Sequence, residues 1–335
     1  MNTPCSSPIC VSRHEGATPA HPAKPLLPAH LPLLALAVGL ILIGSERLEA
    51  QEETRQVDVA MARGFQPALT VEGAIAGSTS FKAGSTPAGA ASVDNARVSL
   101  SAPLPPLSTS VFDTVGITYT EYAFSRNAGT PLPAYLHGLS ADIGAIDRIA
   151  QDWTLIARVS PGLYNAGSGF STRGFGIGAF AIAQYQFDPN LTGGFGVGYN
   201  SLGHGINRLL PVASIDWKPA DGWEVSVGFP RTGVTYTLTP QWKAGAVAEF
   251  DGGSYFIKDD PAPRLGSKPS LADTRLDYRS IRTGALVSYE VQTGFSVRLG
   301  FGAVVDREAN YADRGYKLKS NGTAAYLSGG ASYRF

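Results

Sequence analysis

Phe295-Ser-Val-Arg-Leu-Gly-Phe-Gly-Ala-Val-Val305 is the stretch on which the fold turns. Phe295, Val297, Leu299, Phe301 and Ala303 recur at every second position, with Ser296, Arg298, Gly300 and Gly302 between them. Successive side chains of an extended chain point to opposite faces, so this period predicts a β-strand with one apolar and one polar face. Trp242, Ala244, Ala246, Ala248 and Phe250 alternate in the same way with Lys243, Gly245, Val247 and Glu249. Trp223, Val225, Val227 and Phe229 oppose Glu224, Ser226 and Gly228, and Leu327, Ala331, Tyr333 and Phe335 oppose Ser328, Gly330, Ser332 and Arg334. A water-soluble sandwich needs large side chains all along its apolar face. Here that face is often alanine at mid-strand with rings at the ends, the pattern of a lipid-facing band between aromatic girdles.

Followed along the chain, the alternation predicts strands near 68–81, 92–103, 110–124, 135–149, 153–164, 171–187, 191–200, 207–217, 222–229, 233–239, 241–257, 273–290, 294–306 and 320–335. That makes fourteen. The pair 222–229 and 233–239, joined by Pro230-Arg-Thr232, is shorter than a tilted span requires, which leaves twelve strands as the alternative. Pro161 and Pro211 fall within strands, where each removes a ladder hydrogen bond, and read as bulge or rim positions. Short turns at Ala150–Asp152, Asp188–Asn190, Lys218–Gly222, Thr239–Gln241 and Val291–Gly294 alternate with longer connections at Ser125–Pro133, Lys258–Ala272 and Asp306–Lys319. Trp153, Trp217, Trp223 and Trp242 flank short turns, as do Phe187, Tyr289 and Phe295, which predicts one aromatic girdle at one membrane interface.

In hydrocarbon every backbone donor and acceptor must be paired internally, so β-structure spans only as a closed cylinder. The expected fold is therefore all-β, a closed antiparallel barrel with its polar face inward. Arg97, Arg158, Asp216, Glu224, Lys243, Glu249, Glu290, Arg298 and Arg334 take that inward phase and are expected to face the lumen. A charge on the lipid side at mid-depth costs roughly 2–4 kcal/mol. Glu121, Asp147 and His137 take the outward phase near strand ends, where the cost fades.

Upstream, Leu31–Gly44 reads LPLLALAVGLILIG, fourteen uncharged residues, short of the roughly 20 a spanning helix needs. The expectation is a signal peptide over 1–50, cleaved after Ala50, with an uncleaved anchor as the rival, then a periplasmic segment over 51–66 and the barrel over 67–335. With 27 basic and 27 acidic residues among 335 there is no basic surplus, and nothing points to nucleic acid. Cys5 and Cys10 are the only cysteines, too few for a disulfide framework or a cysteine zinc site.

Little else carries chemistry. Ser201 and His204 lie three residues apart in one connection, without a nucleophile elbow, so a lipid hydrolase is a remote reading. Gly174, Gly176 and Gly178, then Gly194, Gly196 and Gly198, are spaced by two and precede no helix, so they read as a thinned lumen face, not a phosphate loop. Asp251-Gly-Gly253 and Lys258-Asp-Asp260 could meet calcium at the cell surface but lack a calcium-loop spacing. No catalytic residue, cofactor site or metal site is predicted.

The leader, the alternation and the terminal Tyr333-Arg334-Phe335 together resemble bacterial outer-membrane β-barrel proteins. The resemblance implies that Tyr333 and Phe335 form the signal read by the barrel-assembly machinery, and that outer-membrane lipid surrounds the chain. More narrowly, the run from Leu210-Pro-Val through Trp217-Lys-Pro, Gly228-Phe-Pro-Arg-Thr and Val234-Thr-Tyr236 to Gly252-Gly-Ser-Tyr255 is similar to a family of uncharacterised outer-membrane barrels, known as a domain of unknown function. That likeness covers most of residues 65–335 and brings no site residues with it. The expected function is a passive channel or uptake pore for small hydrophilic solutes. The alternative is a closed structural or adhesion barrel working through its 258–272 and 306–319 loops.

Overall fold

The computed structural model describes residues 66–105, 111–127, 129–263 and 268–335. The expected leader and nearly all of the 51–66 segment lie outside the described residues. Alternating sequence becomes strand throughout: β1 (Ala68–Ala83), β2 (Thr86–Pro103), β3 (Val111–Arg126), β4 (Tyr135–Ala150), β5 (Trp153–Ala166), β6 (Phe175–Asp188), β7 (Leu191–Asn200), β8 (Leu209–Trp217), β9 (Trp223–Gly228), β10 (Arg231–Thr237), β11 (Trp242–Ile257), β12 (Thr274–Gln292), β13 (Phe295–Tyr311), β14 (Tyr316–Asn321) and β15 (Ala324–Arg334). The described residues contain no α-helix, only single 3₁₀ turns at Thr172–Gly174, Gly205–Asn207 and Ala312–Arg314.

From β1 to β14 each strand pairs antiparallel with the next, and the sheet closes on itself where β1 meets β15, from Ala68↔Arg334 to Ala76↔Tyr326. β14 and β15 share the neighbours β13 and β1 and form one spanning strand interrupted at Gly322-Thr323. The wall therefore has fourteen spanning strands, and β9 and β10, with six and seven residues, are separate members of it. Closure pairs the first strand with the last, so the sheet has no free outer strand, which is what lets such a wall sit in lipid.

Both ends of the described chain lie at the end bearing the short turns. The opposite end differs from the expected loops. β2 starts at Thr86, so the first hairpin turns tightly at Gly84-Ser85. The expected connection Asp306–Lys319 is mostly strand, because β13 runs to Tyr311 and β14 starts at Tyr316. Lys317 pairs with Glu308 and Lys319 with Asp306 across that hairpin, at 2.8 and 3.9 Å, so these charges extend the ladder above the apolar band.

On the lipid side the outward positions are apolar and open: Ile75, Ile117, Ile143, Leu299 and Phe301 are each more than half exposed. The interior has two unlike halves. Toward the long-loop end it is filled by Tyr122, Phe124, Leu136, Tyr255, Ile257, Leu276, Tyr278, Tyr311, Leu318 and Tyr326 in one cluster, with Leu132 and Leu271 pressing down from the loops. The rings interlock edge to face, Tyr122 with Tyr278 at 5.3 Å and Phe124 with Tyr278 at 5.2 Å between centroids. Gly89 has φ +90°, and a Cβ there would stand 2.1 Å from Thr130 Oγ1, so only glycine lets that loop seat against β2.

The wall also folds over itself. β5 pairs with β6 up to Leu163↔Phe175, then turns its tip to β11 through the parallel pairs Phe256↔Asn165 and Ile257↔Ala166. At the long-loop end β1–β5 and β11–β15 thus close as a narrower ring, and β6–β8 lie outside it. The inner face of that leaf (Ile182, Leu210, Val212) packs on Phe250 and Ile281, which take the outward phase of β11 and β12. The glycine stripe serves the leaf: a Cβ on Gly196 would lie 2.8 Å from Ile182 Cγ1 and one on Gly194 3.3 Å from Ile182 Cγ2. Higher up, Asn207 Nδ2 donates to Asp277 at 3.0 Å and the Arg173 guanidinium covers the Phe256 ring at 4.8 Å.

Candidate functional site

The other half of the interior is a chamber of about 750 Å³ open at the short-turn end. Alternation places its lining: the inward positions of β1, β2, β8, β9, β11–β13 and β15 supply Glu72, Arg97, Asp216, Glu224, Lys243, Glu249, Glu290, Arg298 and Arg334. Eight of the nine side chains expected in the lumen line this one chamber. Arg158 does not. It takes the inward phase of β5, level with Gly144 and Phe180, beyond the chamber lining.

Seven carboxylates and eight basic side chains line the chamber, so its net charge is close to zero. Several are matched across strands: Arg298 with Glu72 at 3.5 Å, Arg231 with Glu249 at 3.4 Å, and Asp216 accepts from Ser226 Oγ at 2.6 Å. Such a lining attracts neither ion sign strongly but offers paired donors and acceptors to a polar molecule.

The ceiling is Asp251. Its carboxylate accepts from Tyr122 Oη at 2.6 Å and Asn95 Nδ2 at 3.2 Å, with Arg282 Nη2 at 3.5 Å, and Arg282 faces the Tyr326 ring at 5.8 Å. Asp251 and Arg282 are buried, so the pair survives on these hydrogen bonds and on each other. Above it the tyrosine cluster begins. Asp251 was expected as a cell-surface residue open to calcium; its oxygens face inward and are taken by Tyr122, Asn95 and Arg282. Asn95, Arg148, Arg231 and Arg282 were not singled out from sequence, although each sits on the inward phase of its strand.

Other expectations resolve locally. Pro161 sits where the β4–β5 ladder skips from Ser140↔Gly162 to Ile143↔Val159, and Pro211 is on the unpaired edge of β8. Ser201 Oγ accepts from the Ile177 N–H at 2.8 Å, while His204 Nε2 lies 2.8 Å from Asp313 and 2.7 Å from Arg275. The two side chains thus serve different partners. His137 is buried, with Nε2 3.1 Å from the Gly169 carbonyl and its ring 4.6 Å from Phe170, so a loop rather than lipid covers it. Glu121 accepts from the outward Tyr119 Oη at 2.5 Å.

At the short-turn rim the rings pair off between neighbouring strands: Trp153 with Tyr185 at 5.0 Å, Trp223 with Tyr236 at 4.8 Å, Trp242 with Tyr289 at 4.5 Å and Phe295 with Tyr333 at 6.2 Å. Phe187 stacks edge-on with Tyr185 at 4.9 Å, and Trp217 stands half exposed beside the β8–β9 turn. Phe335 meets Tyr333 at 4.9 Å, and its backbone N–H donates to the Pro67 carbonyl at 2.9 Å, closing the seam.

A family model described as "Domain of unknown function (DUF6268)" matches residues 107–333. No curated protein matches the chain. Among solved structures the chain is similar to the NanC porin (10% identity, TM-score 0.38), covering 80% of this chain and 100% of that one. It is also similar to a Pseudomonas aeruginosa FadL homologue (12% identity, TM-score 0.41, 81% and 90% covered). A third likeness is to the translocator domain of the autotransporter NalP from Neisseria meningitidis (14% identity, TM-score 0.36, 85% and 96% covered).

Proposed function

This chain belongs to the DUF6268 family, and we propose that it is an integral outer-membrane β-barrel that receives small hydrophilic solutes in a periplasm-facing chamber and is shut toward the cell surface at rest. The observation that carries this reading is the complete burial of Leu132, Leu136, Leu271, Leu276 and Leu318 inside the long-loop half, where a free-diffusion pore needs a column of water. The earlier expectation of a passively open lumen is modified accordingly: passage requires the tyrosine cluster to give way. The chamber's volume falls within the roughly 300–1,000 Å³ typical of small-molecule sites, and its balanced charge suits neutral or zwitterionic polar solutes. The N-terminal 50 residues act as the export signal, Tyr333 and Phe335 as the mark read by the assembly machinery, and the ring-bearing rim as the periplasmic interface. No catalytic step is assigned to the chain.

Planar-bilayer recording of the purified protein tests this. The native chain is expected to insert without steady conductance, and the Tyr122→Ala/Tyr278→Ala pair to give discrete open steps. Steady steps from the native chain, equal to those of the variant, would overturn the closed resting state.

A further inference from the structure

We infer that the barrel wall carries a lateral portal at β8–β10, through which an amphipathic molecule with a small polar head and one apolar chain exchanges between the lipid layer and the chamber. The inference rests on the chamber reading for its inner destination and on the wall's own geometry for the rest.

β8 pairs with β9 only from Ser214↔Gly228 to Trp217↔Val225. Above that, Leu209–Ala213 has a ladder on its β7 side alone. The Asn200 N–H donates to the Arg208 carbonyl and the Lys218 N–H to the Asn190 carbonyl, which fixes the parity: even-numbered residues of β8 bond to β7, and Leu209, Pro211 and Ala213 turn their backbone groups to the notch. Proline has no N–H, so the middle position of this edge lacks the donor that would otherwise point into the gap. The Ala213 carbonyl accepts from the Phe229 N–H at 3.4 Å, at the tip of the short β9–β10 hairpin. On the far side of the notch, the Phe250 N–H donates to the Pro230 carbonyl at 2.9 Å, and β10 pairs with β11 no further than Arg231↔Glu249.

An edge at this depth is tolerated only where something covers it. The cover is made of side chains rather than a ladder: Phe229 and Phe250, rings 5.4 Å apart, with Leu210, Val212, Ile182 and Ile281 behind them. Outside, Leu209 and Ile215 are about half exposed on the lipid face. Inside, the chamber reaches Arg231, Gly233 and Val247 on the strands bordering the notch. Parting these apolar side chains breaks no run of backbone hydrogen bonds, whereas parting any other two strands of the wall does. An apolar chain can replace the Phe229 ring at little cost, and the head then meets the paired charges below.

The test is labelling of the full chain in lipid vesicles, with Cys5→Ser and Cys10→Ser to remove native thiols. A Val212→Cys reporter behind Phe229 is compared with Val304→Cys, buried in the tyrosine cluster, using pyrenyl-maleimide dissolved in the bilayer. Val212→Cys is expected to react about ten-fold faster, since opening the notch forfeits fewer buried contacts than opening the cluster. Phe229→Ala should raise the rate by about another ten-fold and the larger plug Phe229→Trp should lower it. The Trp variant keeps the test decisive if the Ala variant does not fold. Equal rates at the two reporters, indifference to residue 229, or faster reaction with a charged water-soluble maleimide would each overturn the portal. Labelling reads the notch and conductance reads the tyrosine cluster, so the portal and the closed chamber fail by different measurements.

Discussion

Leu276 and Leu286 stand on the same face of the same strand, β12, and live in different solvents. Leu276 is fully buried among tyrosines, while Leu286 lines the open chamber. The same contrast runs around the barrel. In the short-turn half apolar side chains face lipid and charges face the hollow. In the long-loop half the hollow is packed with tyrosine and aliphatic side chains around the buried guanidinium of Arg307, which donates to the Gly77 and Ala91 carbonyls at 2.9 and 3.1 Å. There the outward positions of β12 and β13 carry Asp277, Arg279, Asp306 and Glu308, the last three tied together at 2.9–3.5 Å. An alternating strand states that its two faces differ; it does not state which face meets water.

The sharpest way to break this contrast is to truncate both leucines. Leu276→Ala should cost about 2–5 kcal/mol, because it leaves a cavity in a packed cluster. Leu286→Ala should cost less than about 1.5 kcal/mol, since chamber solvent refills the space. Urea unfolding in lipid vesicles, followed by tryptophan fluorescence, measures both. Equal losses would mean that the two halves are packed alike.

A second probe compares the faces of β11. Ala246 is exposed on the lipid side, and Ala246→Arg should cost about 2–4 kcal/mol in the same assay. Lys243 lines the chamber, and Lys243→Glu should change stability by less than about 0.5 kcal/mol. Placed in the Tyr122→Ala/Tyr278→Ala background, Lys243→Glu should shift the reversal potential toward cation preference. Similar tolerance of the two changes would reverse the assignment of faces.

Much of this was legible in the sequence. The period of two located every spanning strand, and tryptophan beside the short turns marked one rim, because each signal is local and repeats. The inward charges of the short-turn half were legible for the same reason. The long-loop half was not. Phe250 and Ile281 look lipid-facing by alternation, yet β6–β8 cover them, and that cover depends on β5 exchanging β6 for β11 at Asn165-Ala166. Pairing between strands six apart in order leaves no mark in either strand's own pattern. Asp306–Lys319 read as a connection, while its backbone pairs from Glu308↔Lys319 to Tyr311↔Tyr316 and Lys317 and Lys319 are matched by Glu308 and Asp306, so that most of it is strand. Pro211 was the one local clue to the split wall: a proline inside a strand marks an unpaired edge as readily as a bulge.

The weakest expected effect concerns the clasp that holds the leaf on the ring. Arg275 donates to the Asp313 carboxylate from Nε at 3.1 Å and from Nη2 at 2.8 Å, and His204, in the β7–β8 connection, lies 2.8 Å from the same carboxylate. The hydrogen bonds from Arg275, chiefly, hold the Asp313 carboxyl down to about 2. A carboxyl depressed in the folded state favours that state at every pH above its ordinary value near 3.9, and the benefit drains away as pH falls toward the folded value. The clasp should therefore be intact at pH 5 and loosen between about pH 4 and 2. A nitroxide on Ile206→Cys, an exposed position beside His204, should report rising mobility over that interval and not above it. Asp313→Asn removes the titrating group, so its label should be mobile at pH 5 already and unresponsive to acid. An unchanged acid transition in Asp313→Asn would place the sensitivity elsewhere in the leaf and remove the clasp from the account of why β6–β8 stay down.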